Sequence, residues 1–238
     1  MPNFVDAVNS RPFYMALGIL MAAIAVMGFW PTYYGPLVTA ALAQPVIIHW
    51  HALVFSGWLA LFFAQAAFAA IGRVSIHIRL GRIGIAYAIC LIAVGLVTGV
   101  IRAGALELAE GAELLMAAIL DMAVFALFFG LAIAYRKKPQ VHKRAMIVAA
   151  TMLLIAAAGR FWFLPDLAPA IRLPTFFLIW LSPILCAITF DLLRERRIYP
   201  IYVAGIAVLA MRIFVGDLIS QTEMWRQFAT GVFDFWNV

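Results

Sequence analysis

The chain has 238 residues, of which 66% are hydrophobic and 12% are charged, and its mean hydropathy is +1.03. Soluble domains carry charge on about a quarter of their residues, so this composition excludes an ordinary soluble protein and predicts a single membrane domain over 1–238. The net charge of +6 lies mostly in short segments between apolar stretches, which is typical of membrane orientation signals and excludes a nucleic-acid interface.

Seven apolar stretches are long enough to cross a bilayer, since about 20 residues suffice for a helix. Their apolar character is continuous and does not alternate, so they predict helices and not the strands of a membrane barrel. We therefore predict an all-α polytopic bundle of about seven helices, at 13–30, 46–70, 83–101, 114–135, 145–164, 174–193 and 200–219.

Basic residues are concentrated in every second connection and at the N-terminus. The positive-inside rule places these segments in the cytoplasm and, with seven spans, the C-terminus on the outer side, which in a bacterial inner membrane is the periplasm. The aromatic residues Trp30, Tyr33, Tyr34, Trp162, Trp225 and Trp236 are expected near the outer interface. Twelve of the 17 basic residues lie on the cytoplasmic side: Arg11, Arg73, Arg79, Arg82, Arg136, Lys137, Lys138, Lys143, Arg144, Arg194, Arg196 and Arg197.

The second stretch carries His49, His51, Trp58 and Gln65. His49 and His51 are two positions apart, so they face different sides of a helix and cannot both bind one metal ion. His51, Trp58 and Gln65 are each seven positions apart and share one stripe, which we expect to face the interior of the bundle.

Ionisable side chains inside membrane spans are costly and mark candidate sites. Asp121, Arg160 and Arg212 lie in the fourth, fifth and seventh stretches, and a rise of 1.5 Å per residue places them with the two histidines about 6–12 Å below the outer surface. One interpretation is a structural ion pair between Asp121 and one arginine. The other is a site in which the spare positive charge holds a haem propionate, a lipid phosphate or a substrate carboxylate.

A short pattern recurs in the cytoplasmic connections. His77, His142 and Tyr199 each follow an aliphatic residue and open the next stretch, at spacings of 65 and 57 residues. The pattern predicts a lone first helix and three similar hairpins, with the three side chains at one depth. They are either ligands that converge on a transition metal or a haem, or polar groups solvated at the membrane surface.

A haem with two histidine ligands needs them on different helices at one depth, which favours His77 with His142 over His49 or His51. The two cysteines belong to no CxxC pattern, which excludes covalent c-type haem and argues against an iron–sulfur cluster. No HExxH, Walker or GxSxG pattern supports hydrolysis or nucleotide chemistry, so the sequence indicates no catalytic residue and leaves enzymatic activity open.

Four segments, FWPTY at 29–33, HWHA at 49–52, HIRLG at 77–81 and HKRAM at 142–146, resemble a family of uncharacterised bacterial seven-helix inner-membrane proteins. The resemblance covers most of the chain. That family is distantly similar to membrane proteins of cytochrome-oxidase maturation and to four-helix b-type cytochromes. The resemblance implies a His-Pro pair where this chain has Tyr199 and Pro200, and therefore the loss of one ligand here.

The leading hypothesis is a membrane protein that binds haem b or a transition metal in redox or respiratory metabolism. His77 and His142 would be its ligands, while Arg160 and Arg212 would hold anionic groups.

Two alternatives remain open. The polar layer favours a transporter or small-ligand-binding protein. The pair Gly95 and Gly99 and the alanine-rich segment 149–159 favour a non-catalytic subunit of a larger membrane complex, because small residues permit close helix contacts.

Overall fold

A computed structural model describes residues 11–41, 43–161 and 163–236, and every regular element in them is a helix. Trp162, expected near the outer interface, lies outside the described residues. Six helices are long and apolar enough to cross a membrane, which confirms a polytopic helical protein in contact with the lipid bilayer.

The helices are numbered in chain order. The six long ones are α1 (Arg11–Phe29), which continues through a π-helical turn (Trp30–Tyr34) into α2 (Gly35–Val38), then α3 (Val46–Ala70), α4 (Val74–Gly104), α5 (Leu108–Ala134), α8 (Pro169–Glu195) and α9 (Pro200–Ser220). The shorter ones are α6 (Pro139–Met152), α7 (Ile155–Ala158) and α10 (Glu223–Trp236).

The stretch 145–164, which we expected to be one continuous span, is divided between α6 and α7 and interrupted at Leu153 and Leu154. α6 has 14 residues and is therefore about 21 Å long, shorter than the hydrocarbon core of about 30 Å. The interruption escapes a hydropathy-based prediction because the residues on both sides of it are equally apolar.

α6 lies in the middle of the bundle. It packs against α5, α8 and α9, and α7 packs against α1 and α8. The long helices follow one another around it in the order α1, α3, α4, α5, α9 and α8, with α8 returning to α1. Small side chains let an enclosed helix fit: Ala149, Ala150, Ala157 and Ala158 are all buried. The alanine-rich segment therefore packs inside the protein and offers these residues to no other subunit.

Gly95 and Gly99 of α4 also serve packing within the chain, like the buried alanines of α6 and α7. A Cβ atom at Gly95 would lie 2.6 Å from Sδ of Met122, and one at Gly99 would lie 2.5 Å from Cβ of Ala118. Real Cβ contacts are longer than this, so both glycines are needed for the close approach of α4 and α5. The predicted close helix contact is confirmed, and its partner is a helix of the same chain.

α10 is a helix that the search for apolar stretches does not detect. Ala229 and Phe233 are buried against α4 and α5, and the indole Nε1 of Trp225 donates to the carbonyl oxygen of Ala112 at 2.8 Å. Met224 and Phe235 on its other side are exposed. This two-faced pattern is typical of a helix at the membrane surface.

Candidate functional site: a histidine pair and a polar cavity

His77 and His142 lie next to each other. Their ring centroids are 6.3 Å apart and their planes are nearly perpendicular, at 87°. His77 is in the first turn of α4 and His142 in the first turn of α6, so the two predicted hairpins bring equivalent residues to one end of the bundle. We call this the histidine end.

Each of the two rings is held by a backbone carbonyl at the end of the preceding long helix. Nδ1 of His77 is 3.2 Å from the carbonyl oxygen of Gln65, and Nδ1 of His142 is 2.8 Å from that of Ala132. A carbonyl oxygen can only accept, so both Nδ1 atoms carry the proton and each Nε2 keeps a free lone pair. Histidines that bind metals in proteins are commonly held in this way.

His142 lies before the enclosed part of α6 and outside the six membrane-spanning helices. Burial lowers the pKa of its imidazole below the usual value; the hydrogen bond to Ala132 acts in the opposite direction, and neighbouring His77 lowers it further. The neutral ring, which is the form that can bind a metal, is therefore favoured.

Tyr199 does not join the histidines. Its hydroxyl donates to Oε2 of Glu195, and its ring covers the guanidinium of Arg144, with 3.3 Å between Cζ and the ring centroid. Within the described residues no group of three or more histidine, cysteine, aspartate or glutamate side chains is placed to hold a metal ion. Of the three residues expected at one site, the structure pairs His77 with His142 and places Tyr199 in contacts with Glu195 and Arg144.

A buried ion pair, which was not predicted from the sequence, lies at the same end. Nε of Arg144 donates to Oδ2 of Asp191 at 2.7 Å, and both side chains are at most 1% exposed. Tyr202 donates to the same carboxylate oxygen at 3.1 Å, and the carbonyl of Gln140 accepts from Arg144 at 2.8 Å. Arg144 was expected in a basic connection between two spans, but it lies within α6 and its side chain is buried. Asp191 is an acidic residue within the predicted stretch 174–193, and its presence in a membrane span could have indicated a buried ion pair.

A cavity of about 530 Å³ lies at the opposite end, between α1, α3, α4, α5 and the interruption that separates α6 from α7. We call this the cavity end. Its polar lining includes three of the residues selected from the sequence, His51, Asp121 and Arg160, together with Thr98 and Arg102, which were not selected.

Asp121 and Arg212 form an ion pair in which the guanidinium Nε faces Oδ1 of the carboxylate. Arg160 has a different environment, because its Nη1 donates to the carbonyl of Ala156 at 2.7 Å and its guanidinium lies over the ring of Phe29. The structure thus pairs the carboxylate with one arginine, and among the described residues the other arginine has no acidic partner.

The other selected residues of α3 face in different directions, as expected. Nδ1 of His49 is 3.1 Å from the hydroxyl of Tyr33, whereas the ring of His51 stacks on Phe55 at 4.0 Å and its Nδ1 is buried without a partner. Further along the predicted stripe, Trp58 is 2% exposed and Gln65 is half-buried, with Oε1 unpartnered.

The two sites are far apart. His77 and Arg102 are 25 positions apart on α4, which corresponds to about 37 Å along the helix axis. Arg160 lines the same cavity as Arg102, so it cannot bind a propionate of a haem held at the histidine end. Arg212 is paired with Asp121, and the expectation that Arg160 holds an anionic group stays a prediction, at the cavity and not at the histidine end.

Comparison with protein-family models, with curated proteins and with solved structures gives no match for this chain. The function of this chain is therefore inferred from the geometry of its residues.

Proposed function

We propose that the protein is a b-type cytochrome of a bacterial inner membrane, with a haem held between His77 and His142 for one-electron transfer in redox or respiratory metabolism. The observation that supports this most strongly is the pair of carbonyl-anchored rings, each with a free Nε2. The proposal agrees with the distant similarity between four-helix b-type cytochromes and the family that this sequence resembles.

The number of ligands favours haem over a bare ion. Zinc and similar ions take three or four protein ligands, and the described residues place no third histidine, cysteine, aspartate or glutamate side chain beside the two histidines. A porphyrin would supply four nitrogens itself, so His77 and His142 would be enough to hold a haem. The distance of 6.3 Å between their ring centroids is compatible with one iron held between the two rings.

The charge of the histidine end also suits a haem. Arg73, Arg79 and Lys138 are exposed there, and arginine and lysine complement the carboxylates of propionates. The bound haem would supply the one-electron chemistry. The chain would hold both imidazoles through their Nδ1 atoms, by the carbonyl oxygens of Gln65 and Ala132.

We further propose that the enclosed part of α6, which follows His142, and α7 together make one of seven passes and that the histidine end faces the cytoplasm. His142 opens α6 at the histidine end, whereas Arg160, just after α7, contacts Phe29 at the far end of α1. Alkaline phosphatase fused after Val238 should be active and a fluorescent protein fused there dark. The reverse result would contradict the orientation.

The haem is tested by absorption spectra of the protein purified from haem-replete cells, before and after dithionite reduction. We expect a Soret band that shifts on reduction, and its loss in both His77→Ala and His142→Ala. His49→Ala serves as the matched control and should keep the band. Stoichiometric haem in both variants, or a colourless wild-type protein, would contradict the proposal.

Metal analysis of the same sample tests a second possibility, in which the histidine pair binds a transition metal without a porphyrin. A transition metal that is lost in both histidine variants, without a Soret band, would identify the pair as a metal site. The alternative of a small-ligand-binding protein is favoured by the cavity at the other end.

A further inference from the structure

The cavity end has features that a haem at the histidine end does not explain. We propose that the cavity binds an amphipathic anion, that is, an apolar chain or ring system carrying a carboxylate or phosphate group. This inference does not depend on the haem, because the two sites lie at opposite ends of α4.

The lining of the cavity carries positive charge. Arg102 and Arg160 both line the cavity, and neither has a carboxylate partner among the described residues. Asp121, an acidic residue of the same lining, is already paired with Arg212. The cavity therefore carries positive charge that the surrounding residues do not balance, which favours an anion.

The guanidinium of Arg160 also has N–H donors that are available to a ligand. One hydrogen bond, from Nη1 to the carbonyl of Ala156, is formed, whereas a guanidinium has five N–H donors in a planar fork. That fork matches the two oxygens of a carboxylate or phosphate. Arg160 and Arg102 are exposed, so they mark the opening of the cavity, where a charged group would enter last.

Two buried polar atoms in the wall of the cavity have no hydrogen-bond partner among the described residues. Nδ1 of His51 and Oγ1 of Thr98 are both buried, line the cavity and form no hydrogen bond. Thr98 is 6% exposed. Buried polar groups in proteins are nearly always paired, so these two atoms indicate that a polar group of a ligand completes them.

The remaining lining is apolar and adaptable. Phe55, Leu59, Met122 and Met152 lie around the interior, and methionine side chains adjust readily to differently shaped ligands. The volume of about 530 Å³ falls within the range of small-molecule sites. An apolar body would therefore occupy the interior, with the anionic group between Arg102 and Arg160.

The test is equilibrium binding of dodecanoate to the full-length protein in phosphatidylcholine nanodiscs, corrected for partition into empty nanodiscs. We expect saturable one-to-one binding, and binding of dodecanol that is at least tenfold weaker. Arg102→Gln and Arg160→Gln should each weaken dodecanoate binding about tenfold, because each removes a charge-assisted contact. Arg172→Gln removes the same charge outside the cavity and should leave the affinity unchanged.

Dodecyl phosphate identifies the source of the anion. Tighter binding of the phosphate supports the site and points to a lipid head group, whereas tighter binding of the carboxylate supports it and points to a free acid. Equal affinity of dodecanoate and dodecanol, or unchanged affinity in Arg102→Gln, would overturn the proposal. Arg102 is exposed at the end of α4, so this variant keeps the test valid even if Arg160→Gln fails to fold. An unchanged haem spectrum in Arg102→Gln would show that the two proposals are separate.

Discussion

Arg144 and Asp191 form an ion pair that is completely enclosed by the bundle, with 2.7 Å between Nε and Oδ2. The pair joins the central helix α6 to the end of α8, and Tyr202 at the start of α9 donates to the same carboxylate. Removing two charges from water is costly, and an enclosed pair tolerates this only while both partners are present.

Replacing one partner of this pair should therefore destabilise the fold strongly. We expect Arg144→Ala or Asp191→Ala to lower the free energy of unfolding by about 3–5 kcal/mol. The first change leaves the buried carboxylate of Asp191 without its cation, and the second leaves the guanidinium only the longer contact with Oε1 of Glu195, at 3.5 Å. The double change Arg144→Met with Asp191→Leu should cost clearly less than the sum of the single changes, since no charge remains. Reversible unfolding in mixed micelles measures all three, and additive costs would contradict the pairing.

The close approach of α4 and α5 predicts a penalty for adding even one methyl group. Gly99→Ala would place Cβ 2.5 Å from Cβ of Ala118, and overpacking of this kind costs about 1–3 kcal/mol. Gly130→Ala is the matched control, because an added Cβ would meet nothing within 4 Å and alanine favours a helix by about 0.5–1 kcal/mol. Melting temperatures should shift in opposite directions, and a similar shift for both would argue against the contact.

Much of this architecture follows from the sequence, because a bilayer imposes length and polarity on a helix. The predicted stretch 46–70 coincides with α3, and the long apolar helices appear where hydropathy placed them. The pairing of His77 with His142 was also predictable, since equivalent turns of similar hairpins lie at one depth.

Other features depend on how helices pack, which a single sequence does not reveal. Arg144 lies beside basic loop residues and has the same local pattern, and only the enclosure of α6 makes it a core residue. Tyr199 follows the repeat but is diverted by contacts with Glu195 and Arg144. Arg102 could not be placed in the cavity without knowing that the end of α4 faces the interruption at Leu153 and Leu154.

The pair Asp121 and Arg212 should be needed for stability, whatever the cavity binds. Both side chains are largely buried, at 18% and 12% exposed, so Asp121→Asn or Arg212→Gln should each cost about 2–4 kcal/mol of unfolding free energy. The double variant should cost less than the sum. Glu113→Gln, an exposed change on the same helix, should stay within about 0.5 kcal/mol, and a comparable loss there would show that the effect is not specific to the pair.

The imidazole of His142 makes the stability of the haem-free protein depend on pH. Burial lowers its pKa in the folded state, so below the ordinary value of about 6.5 the unfolded chain binds a proton that the folded chain resists. The free energy of unfolding should therefore decrease as pH falls below about 6.5, by at most about 1.4 kcal/mol per pH unit from this group.

His142→Gln removes the titration while keeping an amide that can donate to Ala132. We expect the difference in unfolding free energy between wild type and His142→Gln to be constant from pH 7 to 8 and to change in favour of the variant between pH 6.5 and 5. Parallel curves across both ranges would mean that His142 is as easily protonated in the folded protein as in the unfolded chain.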